Sequence, residues 1–421
     1  MFHKTTLKNN THILVEKVPH VRSVAVGFWV DVGSRHENEE NNGVSHFIEH
    51  LLFKGTEKRT AKQIAEALDA VGGQLNAFTT KEYTCYYARV LDEHLDLAID
   101  LLSDMLFNSK FAPEEIDRER NVIIEEIKMY EDSPDELVHD VFAGSMWKGH
   151  ALGRPIIGTA EVLENITRDK ILEFYQTNYK PGNLVLTVAG NIDQEQATDK
   201  LRQIVENRGG QIPERPAIVP APVRDVVCRN KDTEQVHLCV GTQGVNLENE
   251  NHYTFQLLNT ILGGGISSRL FQEIREQRGL VYSVYSYLSS YHDTGLFCIY
   301  AGLSKQNVDE ALDLIFKQVE DIRVNSVTAG ELQRAKDQIK GNLLLSLESV
   351  STRMSRLGKS QLYLGRVLSP DEVVEKLNKV SLADIQGLAA SMLTPDKFSM
   401  ATIGQWSDSG QLQSVLDKYK R

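Results

Sequence analysis

The chain has 421 residues, 41% of them apolar and 25% charged, with a formal net charge of −12. A single hydrophobic core rarely extends past about 250–300 residues, so at least two domains are expected. The composition excludes a disordered chain, a collagen-like repeat and a disulfide-stapled mini-domain, and the acidic balance argues against a nucleic-acid partner, because phosphate binding needs a basic surface.

The N-terminal segment MFHKTTLKNNTHILVEKV has neither the apolar centre of a secretion signal nor an Arg-rich, acid-poor presequence. No apolar run of about 18 residues follows that would span a membrane. Both features favour a cytoplasmic protein without a membrane segment. The four cysteines (Cys85, Cys228, Cys239, Cys298) share no C-x-x-C spacing and read as small buried hydrophobes in a reducing compartment.

Alternating patterns at 11–18 (THILVEKV) and 22–33 (RSVAVGFWVDVG) predict strands. The segment 43–55, GVSHFIEHLLFKG, predicts a helix whose apolar residues are buried. His46 and His50 lie one turn apart on one face of it, and two imidazoles at that spacing can hold one Zn²⁺. Glu49 stands beside them, within reach of a water at the metal. The arrangement is the inverted H-x-x-E-H motif. A catalytic zinc needs a third protein ligand, a carboxylate or imidazole from another element.

Amphipathic helices are predicted at 94–106 and 112–127. In the second of these, Glu119 and Glu126 share a face, although composition alone reads the run as a solvated acidic surface. The stretch 133–140, SPDELVHD, places Glu136 and Asp140 at i,i+4, either as a plain acidic helix start or as two carboxylates able to clamp a guanidinium.

A Pro-rich stretch with Pro213, Pro216, Pro220 and Pro222 reads as an extended connector. It divides the chain into a metal-binding half at 1–206, a linker at 207–225 and a second half at 226–421. Beyond it the order of elements recurs. A strand pattern EQVHLCVGTQ opens the second half, and helices at 307–322 and 328–343 match those at 94–106 and 112–127. Glu115 and Glu331 differ by 216, while Pro181 and Pro395, and Gly190 and Gly404, differ by 214. Two homologous α+β halves are therefore expected, each a mostly antiparallel or mixed sheet with helices on one face. The same offsets put Ala335 opposite Glu119 and Asn342 opposite Glu126, so the second half lacks the metal chemistry.

With these residues in place, the chain resembles the pitrilysin-like (M16) zinc metallopeptidases. Their H-x-x-E-H motif is followed well downstream by a glutamate ligand in a context like E-R-x-V-I-x-x-E. Here that context is 119–126, with Glu126 lying 76 residues after His50.

The resemblance implies one Zn²⁺ per chain held by His46, His50 and Glu126, with Glu49 as general base and Glu119 as a supporting carboxylate. It implies that Asn76, Ala77 and Phe78 belong to an edge strand that pairs with substrate backbone, and that Phe53 lines an apolar pocket. In the second half, Gly263, Gly264 and Gly265 match the family's glycine-rich loop. Arg275 and Tyr282, in R-x-x-x-G-L-x-Y, would hold substrate and steady the oxyanion.

Two halves per chain point to the short-chain subfamily, which includes the mitochondrial processing peptidase and bacterial relatives. The implied assembly is a clamshell homodimer in which one chain's Arg275 and Tyr282 serve the other's zinc. Glu136 and Asp140 would grip a basic residue of an extended or unfolded peptide. A non-catalytic, core-like subunit of the same fold is the alternative, and the complete motif speaks against it.

Overall fold

The computed structural model describes residues 2–210, 212, 218–405 and 409–418. The linker expected at 207–225 lies partly outside them, with Pro213 and Pro216 among the residues not described. The chain forms two compact units. The first comprises Met1–Lys128, Arg154–Ala217 and Leu345–Val367, and the second Met129–Gly153, Ile218–Leu344 and Leu368–Arg421.

The first unit is built on a six-stranded sheet of β1 (Phe2–Thr6), β2 (His12–Lys17), β3 (Ser23–Val30), β4 (Gln74–Thr79), β5 (Thr84–Leu91) and β6 (Leu184–Gly190). Its spatial order is β1-β2-β6-β3-β5-β4. Only β2–β6 is parallel, and the other pairs are antiparallel.

The second unit has β7 (Val226–Asn230), β8 (Val236–Gly244), β9 (Val281–Ser290), β10 (Gly295–Leu303) and β11 (Ser399–Gly404) in the order β7-β11-β8-β10-β9. Only β7–β11 is parallel. Leaving out β1, the two sheets have the same order and the same single parallel pair. The duplication expected from residue offsets is therefore a duplication of topology.

Helices α1 (Val44–Leu51), α2 (Ala61–Asp69), α3 (Leu95–Asn108), α4 (Pro113–Glu131), α5 (Pro134–Met146), α6 (Ala160–Asn165), α7 (Arg168–Asn178) and α8 (Gln194–Val205) belong to the first half of the sequence. Helices α9 (His252–Gly263), α10 (Val308–Asn325), α11 (Ala329–Ser346), α12 (Val350–Leu364), α13 (Pro370–Lys379), α14 (Leu382–Met392) and α15 (Ser409–Lys418) belong to the second.

Alternate residues of β3 explain how the first sheet is covered. Val24, Val26, Phe28 and Val30 point into the main core beneath α1, α3 and their neighbours. Ala25 and Trp29 point the other way, against Val350, Met354 and Leu357 of α12. Most helices do lie on one face, as expected, but the opposite face also carries one. That is why β3 is buried without a polar side chain from Val24 to Val30 instead of alternating.

The second sheet repeats the plan. Leu238, Val240, Phe297 and Ile299 face one core. Their strand neighbours Cys239, Cys298 and Tyr300 face Val138, Phe142 and Met146 of α5 on the other side.

The compact units thus depart from a simple cut at the Pro-rich stretch. Helix α5 follows α4 in sequence but packs in the second unit, and α12 follows α11 but packs in the first. Gly358 makes the close seat of α12 possible, since a Cβ there would lie 2.2 Å from the Trp29 ring. Among the described residues no helix is long and apolar enough to cross a membrane.

Candidate metal centre

Helix α1 starts where Gly43 takes φ of 96°, a left-handed conformation suited to glycine. The buried Glu37 carboxylate caps it, accepting from Gly43 N at 2.7 Å and Ser45 N at 2.8 Å. A negative group there satisfies free amides and complements the helix dipole. Val44, Phe47, Ile48 and Leu51 face the core, which leaves His46, Glu49 and His50 on the remaining face.

Helix α4 docks alongside with Ile116, Glu119, Ile123 and Ile127 buried. His46 Nε2 lies 3.9 Å from Glu126 Oε1, and His50 Nε2 lies 3.6 Å from Glu126 Oε2. The three ligand atoms fall within 4.8 Å of one another. Two ligands at about 2.0–2.1 Å on a tetrahedral zinc are about 3.4 Å apart, so the donor set fits this ion with little movement. Burial, with His50 close by, lowers His46 to about 3, leaving it as the neutral imidazole that a metal requires. Glu125, by contrast, pairs with Lys128 at 2.7 Å on the exposed side of α4.

Glu119 is buried behind the histidines. Its Oε2 accepts from His50 Nδ1 at 3.1 Å, and its Oε1 accepts from Lys54 Nζ at 2.8 Å. The first contact puts the proton on Nδ1 and turns the Nε2 lone pair toward Glu126. Glu119→Gln is expected to weaken metal binding by roughly 10- to 100-fold with an unchanged circular dichroism spectrum. Competition with a chromophoric chelator measures this.

Glu49 Oε2 accepts from Thr79 Oγ1 at 2.5 Å. Burial lifts its carboxyl above the ordinary range, partly offset by Thr79 and His50. Thr79 ends β4, the outermost strand of the sheet. That strand pairs with β5 through Asn76–Tyr87, Ala77–Tyr86 and Phe78–Cys85. The expected edge strand therefore terminates at the candidate base. Phe53 is half-buried against the same core.

The remaining site residues lie in the second unit. Gly263 ends α9, and a Cβ on it would lie 2.4 Å from Ser286 N of β9. Gly263, Gly264, Gly265, Phe271, Arg275 and Tyr285 line an open cleft of about 550 Å³. Arg275 sits in a π-helical segment, Phe271–Gln277. Its guanidinium lies 4.8 Å from the Phe271 ring centroid and 5.6 Å from that of Tyr282. Tyr282 projects from the edge strand β9 and is 75% exposed. Glu136 and Asp140 stand on α5 beside Tyr130, whose hydroxyl donates to Glu136 O at 3.2 Å. Burial and the two carboxylates push that phenol up.

Sequence reasoning missed Glu37, Lys54 and the pairing of Thr79 with Glu49. Lys54, four residues past His50, has a helical-spacing signal. Glu37 lies within an acidic, Asn-rich run whose long-range capping has no local signature.

The family model described as insulinase (peptidase family M16) matches residues 12–160, and that described as the peptidase M16 inactive domain matches 165–339. The chain belongs to peptidase family M16. Among curated relatives of this M16 chain is YmxG of Bacillus subtilis, named an uncharacterized zinc protease. It is 44% identical over 418 residues, spanning 98% of this chain and 100% of that protein. A Streptomyces coelicolor protein of the same description is 42% identical over 413 residues, spanning 96% and 90%.

Solved structures of a protease from Helicobacter pylori (TM-score 0.89, 20% identity, 96% of this chain and 99% of that one) and of a peptidase M16 inactive domain from Pseudomonas fluorescens (0.90, 19%, 97% and 98%) share the fold. So does a chain of complex III₂ from Candida albicans (0.84, 21%, 98% and 99%).

Proposed function

We propose that this M16 chain is a zinc-dependent endopeptidase that cleaves extended or unfolded peptides with a basic residue near the scissile bond. The observation that carries the reading is the convergence of His46, His50 and Glu126 beside Glu49, at the end of the free-edged strand β4. The relatives named as zinc proteases support it.

One Zn²⁺ per catalytic centre, bound by His46, His50 and Glu126, supplies Lewis acidity toward a carbonyl and a water. Glu49 takes a proton from the attacking water and returns it to the leaving amine. Substrate backbone adds as a strand beside Asn76–Phe78, where main-chain bonds give affinity without strict sequence demand. Phe53 offers an apolar surface, and Glu136 and Asp140 take the basic side chain. Arg275 and Tyr282, presented with Gly263–Gly265, come from a partner copy in a homodimer, hold substrate carbonyls and steady the oxyanion. The reading includes a cytoplasmic setting in a bacterium, in keeping with the relatives' organisms. The complete donor set disfavours a purely structural role.

Unstructured fluorogenic peptides with and without a single Arg test the preference. The Glu136→Gln/Asp140→Asn double variant is expected to lose roughly tenfold in kcat/KM on the Arg peptide only. An equal loss on both peptides would remove these carboxylates from the basic-residue site.

A further inference from the structure

Three side chains distant in sequence meet on the face of the second sheet that α5 covers. They are His139 of α5, Cys239 of β8 and Cys298 of β10, and their donor atoms all lie within 4.8 Å of one another. Strand register brings the thiols together. Cys298 pairs with Gly241 and Cys239 with Tyr300, so the two cysteines are diagonal neighbours on one face. Gly241 places no side chain between them and Phe142, since a Cβ there would lie 3.0 Å from the Phe142 ring.

Helix α5, anchored by Val138 and Phe142 in the same core, lays His139 over the pair. Its Nδ1 lies 3.4 Å from Cys239 Sγ. Tyr285 Oη at 3.2 Å from Nε2 orients the ring through its far nitrogen, while the contact of Tyr287 Oη with Nδ1 at 2.8 Å is the one a metal at Nδ1 would replace. Both thiols are fully buried, while His139 is half-buried and Tyr285 is 37% exposed, which leaves a route in from solvent.

We propose that His139, Cys239 and Cys298 form a second metal site, separate from the H-x-x-E-H centre, that takes Zn²⁺ and fastens α5 to its sheet. Zinc is a borderline-soft ion that accepts thiolate and imidazole together. At Zn–S of about 2.3 Å and Zn–N of about 2.0–2.1 Å, a sulfur and a nitrogen on one ion are about 3.6 Å apart. The observed 3.4 Å already approaches that spacing. Binding replaces two thiol protons by one dication, so the buried group formed with neutral His139 carries no net charge. Three protein ligands leave one position for water.

The consequence is local. His139 lies between Glu136 and Asp140 on α5, so the ion would hold rigid the helix that bears those carboxylates. Each cysteine alone reads as a small hydrophobe; their meeting on adjacent strands shows only in the fold. The inference does not depend on the peptidase reading.

Titration of the metal-free, full-length chain with Co²⁺ tests it. The H-x-x-E-H centre has only nitrogen and oxygen donors, so a thiolate-to-cobalt charge-transfer band in the near ultraviolet reports the second site alone. The band is expected in wild type and in Cys228→Ser, and is expected to vanish in Cys239→Ser and Cys298→Ser.

Because serine at a buried position can impair folding, His139→Gln serves as a second variant. In a His46→Ala/His50→Ala background, zinc is expected to raise the melting temperature, and His139→Gln to weaken that zinc binding by on the order of 100-fold. Absence of the band in folded wild type, or a band indifferent to Cys239→Ser, would overturn the proposal. So would a zinc-induced shift that His139→Gln leaves intact.

Discussion

Glu49→Gln is expected to lower kcat for peptide hydrolysis by roughly two to four orders of magnitude, with metal content and KM close to wild type. Glutamine fills nearly the same volume and still offers an oxygen to Thr79, which now donates to the Glu49 carboxylate at 2.5 Å. The contacts of His46 and His50 with Glu126 do not involve Glu49, so the donor set stays intact. What glutamine cannot do is accept a proton from water and return it to the departing amine. Steady-state kinetics with elemental analysis of the same samples separates the two effects. Turnover within about threefold of wild type would take the base role away from Glu49.

Mixing two inactive variants is expected to recover activity. In the proposed homodimer, a Glu49→Gln chain still provides its Tyr282, and a Tyr282→Phe chain still provides its metal ligands and Glu49. Random exchange of equal amounts makes half of the dimers mixed, each with one complete site, so activity should reach about a quarter of wild type. Sites completed within one chain would give no recovery. Tyr282 suits this test because it is 75% exposed on an edge strand, so removing one hydroxyl should leave the fold undisturbed.

Parts of this site were legible in the sequence because their signals are local. His46 and His50 at i,i+4, with Glu49 between, announce themselves on any amphipathic helix. The heptad from Glu119 to Glu126 gives a shared face, but the choice of Glu126 over Glu125 rests on the family spacing. The structure gives a physical counterpart, since the Glu125 side chain is 70% exposed and paired with Lys128.

Other features depend on which surfaces meet, and no local pattern encodes that. The apolar stripes of α5 and α12 say that each must be buried, not against which sheet. Their placement outside the contiguous halves therefore emerges only from packing around Phe142 and Trp29. The same holds for Cys239 and Cys298, whose juxtaposition comes from strand register, and for Glu37, whose capping of α1 spans a loop.

The duplication also shows how chemistry and scaffold separate. Both sheets have the same strand order, yet among the described residues only the first unit carries the imidazole–carboxylate donor set of a zincin. In the second unit, Ala335 occupies the position equivalent to Glu119 and is buried in an apolar core. Arg269, at the end of the glycine-rich segment, pairs with Glu331 and Asp321 at 2.7 Å each. That network ties the cleft bearing Arg275 to α10 and α11. The first copy thus carries the zincin donor set, while in the second the equivalent helix uses its polar contacts to hold the glycine-rich segment.

The most direct test is hydrolysis of an unstructured, Arg-containing fluorogenic peptide by the wild-type chain before chelation, after chelation and after zinc is returned. Cleavage is expected to stop when the metal is removed and to return with zinc. Undiminished cleavage by the chelated protein, or none by the zinc-loaded protein, would rule out zinc-dependent hydrolysis.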